Sequence, residues 1–378
     1  MENKEPVLRV LVTGAGGFLG WHLRCLLSTL KGIEQIPLDH GQFEDDETLG
    51  RAVAGCDVVA HLAGVNRGEP GAIMRENTRI ARRLTEAMEA RGVSPSVIFA
   101  SSTHIFRGTE YGESKIRAGE ELSSWAAKAG ARFVNLIIPN VFGELCRPHY
   151  NSVVATFCHE LTQGRKPAIL QDNEYEYIHS LDVCRHIVKS LNDGVSGDVK
   201  LRGEPMKVSA LLNILEGMHE KYSANVIPSL PNEFHLRLFN TYRSYTGRER
   251  GFRLEAKSDA RGSLFEAVRA LQGGQLFYST TRPGVVRGNH FHLTKFERFL
   301  VVSGKAVIRL RKIGEPRITE VEVDGENPMC VDIPTLHTHN IENVGVSDLY
   351  TLFWTNAFFD PENPDTYYEK VESDNGKA

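Results

Sequence analysis

No run of eighteen apolar residues occurs in this 378-residue chain, so the sequence offers no helical span long enough to cross a bilayer. No block of like charge occurs either. The net charge of −4 is spread thinly, which speaks against nucleic acid or an anionic membrane as a partner. The six cysteines (Cys25, Cys56, Cys146, Cys158, Cys184 and Cys330) form no CxxC pair, and their scatter fits reduced thiols better than a disulfide framework. Internal repeats and low-complexity segments are also missing. The N-terminus runs straight into the strand-like LRVLVTG with no room for a signal peptide, and the expected compartment is the cytoplasm. What is present is an ordinary globular composition, 41% hydrophobic and 24% charged, in a chain of about two domains' length.

Short apolar strands alternate with helical periods from Leu8 to about Asn140. LRVLVTG, CDVVAHLAG, SVIFASS and RFVNLIIPN read as buried strands, and NTRIARRLTEAMEARG and YGESKIRAGEELSSWAAKAG as helices ended by glycine. This alternation predicts an α/β fold, a doubly wound parallel sheet with helices on both faces. Near Tyr245 the character changes. The polar RSYTGRERG is followed by short alternating strands such as KAVIRLRK and ITEVEVDG, as expected of a small all-β jelly roll. The boundary is placed within residues 243–252, giving domains 1–245 and 246–378.

Two constellations carry chemistry. In VTGAGGFLG, Gly14, Gly17 and Gly20 follow a strand and open a helix, where glycine permits a tight turn and close backbone approach to a pyrophosphate. Asp39 follows the second apolar strand, where a carboxylate can bond an adenosine ribose; its neighbour His40 leaves NAD and NADP both open. In YGESK, Tyr111 and Lys115 lie one turn apart on one helix face. An ammonium beside a phenol lowers the phenol's pKa and suits it to carbonyl–alcohol proton transfer. Ser102, at the end of the preceding strand, is placed to bond the same carbonyl oxygen.

In the later GNHFHLTKFERFLVVSGK, His290 and His292 alternate along a strand and so share a face, with Glu297 within hairpin reach. His339 follows in IPTLHTHNIEN. Three imidazoles and a carboxylate suit Zn²⁺, or Fe²⁺, Mn²⁺ or Ni²⁺; the bland alternative is a set of hydrogen-bonded interior histidines.

The ordered motifs TGxxGxxG, HLAG (His61–Gly64), Ser before YxxxK, PNVFG (Pro139–Gly143) and YIHSLDV (Tyr177–Val183) resemble the extended short-chain dehydrogenase/reductases acting on nucleotide sugars. The resemblance implies Ser102, Tyr111 and Lys115 as the catalytic triad, and Gly14, Gly17, Phe18, Leu19, Gly20, Leu62, Ala63 and Lys115 at the dinucleotide. Two positions depart from it. Ile138 stands where an arginine usually precedes PN, so the sugar nucleotide's pyrophosphate is held from elsewhere. Thr103 and His104 replace the Asp-Glu pair of the 4,6-dehydratases, which argues against dehydration.

The second half resembles the cupins over roughly residues 252–372, with Leu336 in place of a usual glycine. RGNHFH is also similar to the deoxysugar epimerases of the rhamnose pathway, in which the corresponding histidine is a base and no metal is bound. His290 therefore has two readings, ligand or base, and the added His292 and Glu297 favour ligation. Lys295, Glu266 and His337 are further candidates for proton transfer, and Arg261 for a diphosphate clamp.

The order of the two halves, with HLAGVNR, YNSVVATFC, GNHFH and FLVVSGK, resembles the bifunctional CapF/WbjC-type enzymes of capsule and O-antigen biosynthesis. That resemblance implies C3 epimerisation of a UDP-linked 4-keto-6-deoxy amino sugar by the cupin, then NADPH-dependent reduction at C4 to UDP-2-acetamido-2,6-dideoxy-L-talose. It further implies a divalent metal such as Zn²⁺ in the cupin, and a homodimer. The rival readings are a plain 4-ketoreductase with a dimerising cupin, an iron-dependent oxygenase, and a 4-epimerase with tightly held NAD.

Overall fold

LRVLVT is β1 (Leu8–Thr13), whose Val10, Leu11 and Val12 are fully buried, as a strand covered on both faces must be. The computed structural model describes residues 7–69, 71–255, 257–259, 262–264 and 267–372. After β1 come α1 (Phe18–Leu27), β2 (Ile33–Leu38), α2 (His40–Glu44), α3 (Asp46–Ala54), β3 (Val58–His61), α4 (Ala72–Arg91), β4 (Ser96–Ser102), α5 (Glu110–Ala129) and β5 (Phe133–Ile138). The two glycine-ended helices are α4 and α5; Gly92 and Gly130 close them at φ 63° and 65°, a conformation that favours glycine.

The chain continues through β6 (Asn140–Phe142), α6 (Val153–Thr162), β7 (Glu174–His179), α7 (Ser180–Asn192), β8 (Gly197–Lys200), β9 (Glu204–Lys207), α8 (Val208–Ser223) and α9 (Glu233–Arg243). Strands β2-β1-β3-β4-β5-β8, in that order, form one sheet in which every pairing is parallel. This is the doubly wound sheet expected. Its order reverses between β1 and β3, and ligands of such sheets bind at the strands' carboxyl ends beside that point. Leu11, Val59, Val97, Phe99, Leu84, Met88 and Leu122 belong to the core that fixes α4 and α5 against it.

The later strands form two five-stranded antiparallel sheets. One runs Phe252–Arg253, Met329–Ile333, Glu297–Ser303, Leu349–Thr355, Gln275–Thr281; the other runs Ile318–Asp324, Lys305–Lys312, His337–Asn343, Val286–Phe291, Tyr367–Tyr368. Phe299, Val301 and Val331 of the first join Ile308, Leu310, Val323 and Ile341 of the second in one buried cluster. Alternation along KAVIRLRK holds as expected, with Ala306, Ile308 and Leu310 buried. The cupin-like sandwich is thus in place.

By contacts the chain divides into residues 1–142 with 172–208, and 143–171 with 209–378. The second unit so begins ahead of the change in composition at 243–252. Its helices explain why: α8 and α9 are tied to the antiparallel sheets by buried polar groups. Arg298 and Asp332, 2% and 3% exposed, form a bidentate pair at 2.6 and 3.0 Å. Tyr222 of α8 donates to the same carboxylate, and Arg243 of α9 donates to Tyr222 at 3.3 Å.

Breaking a buried pair by removing one partner strands the other charge. Arg298→Met is therefore expected to cost roughly 3–5 kcal/mol, and Arg298→Met with Asp332→Leu much less. Urea unfolding of the two variants, followed by far-UV circular dichroism, measures the difference.

Candidate active site and candidate metal centre

The turn between β1 and α1 brings the sequence-predicted glycines together. Gly14 has φ 68°, and a Cβ there would lie 2.9 Å from the Ala63 backbone; one at Gly20 would lie 2.1 Å from the Gly14 carbonyl oxygen. A Cβ at Gly16 would meet nothing, so the outer side of the turn is open. Phe18 and Leu19 begin α1, Gly17 is its cap, and its first amides face a region suited to a phosphate. Leu62 and Ala63 follow β3 beside this turn, held by the Ala63 amide donating to Thr13 Oγ1 at 3.3 Å. Thr13 Oγ1 also shares a hydrogen bond with His61 Nδ1, 2.8 Å away. Burial pushes His61 down to about 3, so it stays neutral and structural.

Asp39 follows β2 and is exposed; its carboxylate caps α2 by accepting from the Gln42 amide at 2.8 Å, while the Gln42 side chain accepts from the Asp39 amide. The turn fits a dinucleotide diphosphate, and Asp39 has one oxygen beyond its cap for a ribose.

Ser102 is the last residue of β4 and 9% exposed; its hydroxyl accepts from the His104 amide at 3.3 Å. Tyr111 lies in the first turn of α5, whose cap Thr109 accepts from the Gly112 amide. One turn on, Lys115 is 6% exposed, donates to the Ala100 carbonyl at 2.9 Å and stands 5.8 Å from the Tyr111 ring centre. Burial pulls the ammonium down from 10.5 to about 8. The serine, tyrosine and lysine thus gather at the carboxyl end of β4.

Sequence reasoning missed two neighbours. His104 packs edge-on against Tyr111 with ring centres 5.6 Å apart, and Gly112 permits it, since a Cβ there would lie 2.1 Å from the His104 carbonyl oxygen. Asn77 of α4 pins the loop after β3, exchanging hydrogen bonds with the Val65 backbone at 2.8 Å and donating to Ser114 at 2.9 Å. Ile138 is buried and is no phosphate contact.

In the second unit, His290, His292, Glu297 and His339 each offer a ligand atom, all within 4.8 Å of one another. Both sheets contribute: His290 and His339 are paired across neighbouring strands of one, and Glu297 opens a strand of the other. A bulge at Gly288 (φ 104°) and Asn289 (φ 60°) sets the aim of His290; a Cβ at Gly288 would strike the His339 carbonyl at 2.8 Å. His292 Nδ1 faces the Asp365 carbonyl at 2.6 Å and so donates, which leaves the Nε2 lone pair turned into the cluster. His292 Nε2 and His339 Nε2 lie 3.3 and 3.2 Å from Glu297 Oε2. All three atoms are buried and without a hydrogen-bond partner. The chemistry of this donor set, three imidazoles and a carboxylate, fits a divalent cation.

Burial, with His339 and His292 adding to it, pushes His290 down to about 3; burial likewise pushes His337 down to about 4, and His337 Nδ1 lies 2.9 Å from the Thr335 carbonyl. Lys295 donates to the Pro364 carbonyl and to Thr366. Leu336 keeps a left-handed conformation, φ 60°, although it is not glycine. Arg261 and Glu266 lie outside the described residues.

Residues 10–201 match the NAD dependent epimerase/dehydratase family, and residues 257–367 the polysaccharide biosynthesis C-terminal domain. The chain is 33% identical over 369 residues to the UDP-2-acetamido-2,6-beta-L-arabino-hexul-4-ose reductase of Pseudomonas aeruginosa (strain PA103), covering 95% of this chain and 98% of that one. It is similar to the crystal structure of the capsular polysaccharide assembling protein CapF from Staphylococcus aureus at 31% identity and TM-score 0.59, over 96% of this chain and 100% of that one. The chain belongs to the CapF-type family of polysaccharide-biosynthesis enzymes. A stretch of 123 residues in this CapF-type chain is 30% identical to the spore coat polysaccharide biosynthesis protein SpsL of Bacillus subtilis, 30% of this chain and 82% of that one. Among the described residues no helix is long and apolar enough to cross a membrane.

Burial penalises the charged form of Lys115, so its folded pKa, about 8, lies below the ordinary 10.5. That penalty is present in full below pH 8 and fades as pH rises toward 10.5. Lys115→Met is expected to melt higher than the parent at pH 7, with the gap narrowing by pH 10. Thermal denaturation at both pH values measures it.

Proposed function

We propose that the chain catalyses two successive steps on a UDP-linked 4-keto-6-deoxy-N-acetylhexosamine. The cupin inverts C3, and the reductase part then reduces the C4 ketone with NADPH, giving UDP-2-acetamido-2,6-dideoxy-L-talose. The functional reductase is taken as residues 1–245 and the cupin as 246–378, in a cytoplasmic homodimer. The observation that carries this reading is the presence in one chain of two unlike sites: a buried Lys115 one turn from Tyr111, and four ligand atoms within 4.8 Å of one another. The name of the Pseudomonas aeruginosa relative, a reductase of a hexul-4-ose, supplies the substrate class.

At the first site the nicotinamide cofactor supplies hydride when bound. Ser102 and Tyr111 hydrogen-bond the C4 carbonyl oxygen, and Tyr111 gives its proton to the oxygen as the alcohol forms. Lys115, cationic below about pH 8, lowers the phenol's pKa and holds the ribose. His104 and Gly112 keep the Tyr111 ring in place.

At the second site His290, His292, Glu297 and His339 hold a divalent cation, assigned as Zn²⁺, which when bound supplies Lewis-acid polarisation of a substrate oxygen. The Staphylococcus aureus CapF has been crystallised with the inhibitor 3-isopropenyl-tropolone. Tropolones chelate divalent metals through adjacent oxygens, which supports a metal here. The hydrogen on C3 is acidified by the neighbouring ketone, so removing it and returning it from the other face inverts that carbon. His337, outside the ligand set and two residues before His339 on the same strand, is taken as the group that accepts that proton.

The test is NMR of the keto sugar in D₂O with and without NADPH. Deuterium is expected at C3 without cofactor, and reduced product only with it. Tyr111→Phe should lower reduction by roughly 10²–10⁴-fold and leave exchange at C3 intact. His290→Ala with His339→Ala should abolish the exchange. Exchange that survives loss of both histidines would reduce the cupin to a structural module.

A further inference from the structure

A segment far from every motif in the sequence closes around one member of the metal set. Asp365 accepts four hydrogen bonds on its carboxylate: from the Leu293 amide at 3.0 Å, the Thr294 amide at 2.9 Å, the Thr294 hydroxyl at 2.6 Å and the Lys295 amide at 2.8 Å. These donors are the three residues that follow His292. The carbonyl of the same aspartate accepts from His292 Nδ1 at 2.6 Å. The loop after the histidine therefore holds the residue that holds the histidine.

We infer that Asp365 is a positioning residue for His292, and that the C-terminal segment 364–371 is thereby part of the metal centre. This role for Asp365 rests on the metal reading above and adds to it a group that no ligand pattern contains. A carbonyl at Nδ1 fixes the tautomer and the ring plane, so the Nε2 lone pair is presented to the cation without a search. Asp365 reaches this position at φ 43°, in the left-handed region, which aspartate enters more readily than most residues though less readily than glycine. A non-glycine residue persists there when its surroundings over-determine it, and four donors on one carboxylate do that. Neighbouring contacts tighten the same segment. Lys295 Nζ donates to the Pro364 carbonyl and Thr366 Oγ1, each at 2.9 Å. Tyr368 and Tyr367 pair with His290 and Phe291 on the ligand-bearing strand, and the Glu369 amide donates to the Asn289 carbonyl at 2.9 Å, at the bulge.

Asp365→Gly separates the two roles the residue could have. Glycine accepts the backbone angle and removes only the carboxylate. If Asp365 merely shapes a turn, the variant binds metal as the parent does. If the carboxylate positions His292, affinity falls. The full chain is stripped with a chelator, and Zn²⁺ affinity is read by competition with a chromophoric chelator; Co²⁺ absorption gives a second readout. Asp365→Gly is expected to keep the parent's circular dichroism and bind Zn²⁺ roughly 10- to 100-fold more weakly, with an altered Co²⁺ visible band. Thr294→Val removes one of the four donors and is expected to give a smaller loss in the same direction. Parental Zn²⁺ affinity in Asp365→Gly overturns the inference. Should that variant not fold, parental affinity in Thr294→Val does so. A parent chain that takes up neither Zn²⁺ nor Co²⁺ would instead bring down the metal reading itself.

Discussion

Two imidazole nitrogens and a carboxylate oxygen, all buried and all turned toward one another, call for positive charge among them, either a cation or protons on the imidazoles. His292 Nε2, His339 Nε2 and Glu297 Oε2 present lone pairs within 3.3 Å and find no hydrogen-bond partner. Water-accessible groups in this arrangement would rotate away; these are fixed by two sheets. Their burial is unfavourable unless positive charge sits among them. The architecture around them follows from that demand. The bulge at Asn289, the strand pairing of His290 with His339, and Glu297 at the start of the facing strand all serve to converge donors from separate sheets.

The local part of this was legible in the residues. Period-two alternation put His290 and His292 on one face, and a spacing of four put Tyr111 and Lys115 one turn apart. The glycines of the first turn announced themselves by following an apolar strand. Contacts without a period were not legible. Asp365 lies 73 positions from His292 and carries no motif. Arg298 sits between Glu297 and Phe299, where alternation reads it as solvent-facing, yet it is 2% exposed because α8 and α9 bring Tyr222 and Arg243 to its partner Asp332. The same helices belong by contact with the second unit, which composition alone, changing only near Tyr245, had no means to register. His104 falls in this class too: its place beside Tyr111 depends on Gly112 in the next helix.

The two sites also differ in how they control protons, and the difference suits the order of the proposed steps. Lys115 is buried but remains titratable near neutrality, at about 8, so the first site holds a cation where a phenol must give up a proton. At the second site burial lowers the imidazoles in the same direction but through neutrality, His290 to about 3 and His337 to about 4, so they stay uncharged where Lys115 stays cationic. Neutral imidazoles suit ligation and proton acceptance. Removing a proton from carbon needs a base; delivering one to a forming alcohol needs an acid. Epimerisation at a carbon beside a ketone is an equilibrium with little driving force, and reduction of that ketone draws it to one side. In the proposed scheme, joining both activities in one chain keeps their stoichiometry fixed.

Leu336 shows how closely the second site is held. Cupin-like sequences place glycine here, and the backbone still has the shape glycine would take, with φ 60°. A leucine in that conformation carries a cost of about 1–2 kcal/mol. Its side chain is 3% exposed, and burying a leucine contributes about 1.5–3 kcal/mol, enough to offset it. The backbone also has work that forbids relaxation: the Leu336 amide donates to the His292 carbonyl at 2.8 Å, and its own carbonyl accepts from Ile313 at 3.1 Å. His292 is thus gripped twice, at its carbonyl by Leu336 and at its ring by Asp365, each a non-glycine residue in the left-handed region. A strained leucine on one side of an imidazole and a carboxylate-anchored turn on the other are what a site holds when the direction of a lone pair matters more than the comfort of the backbone around it.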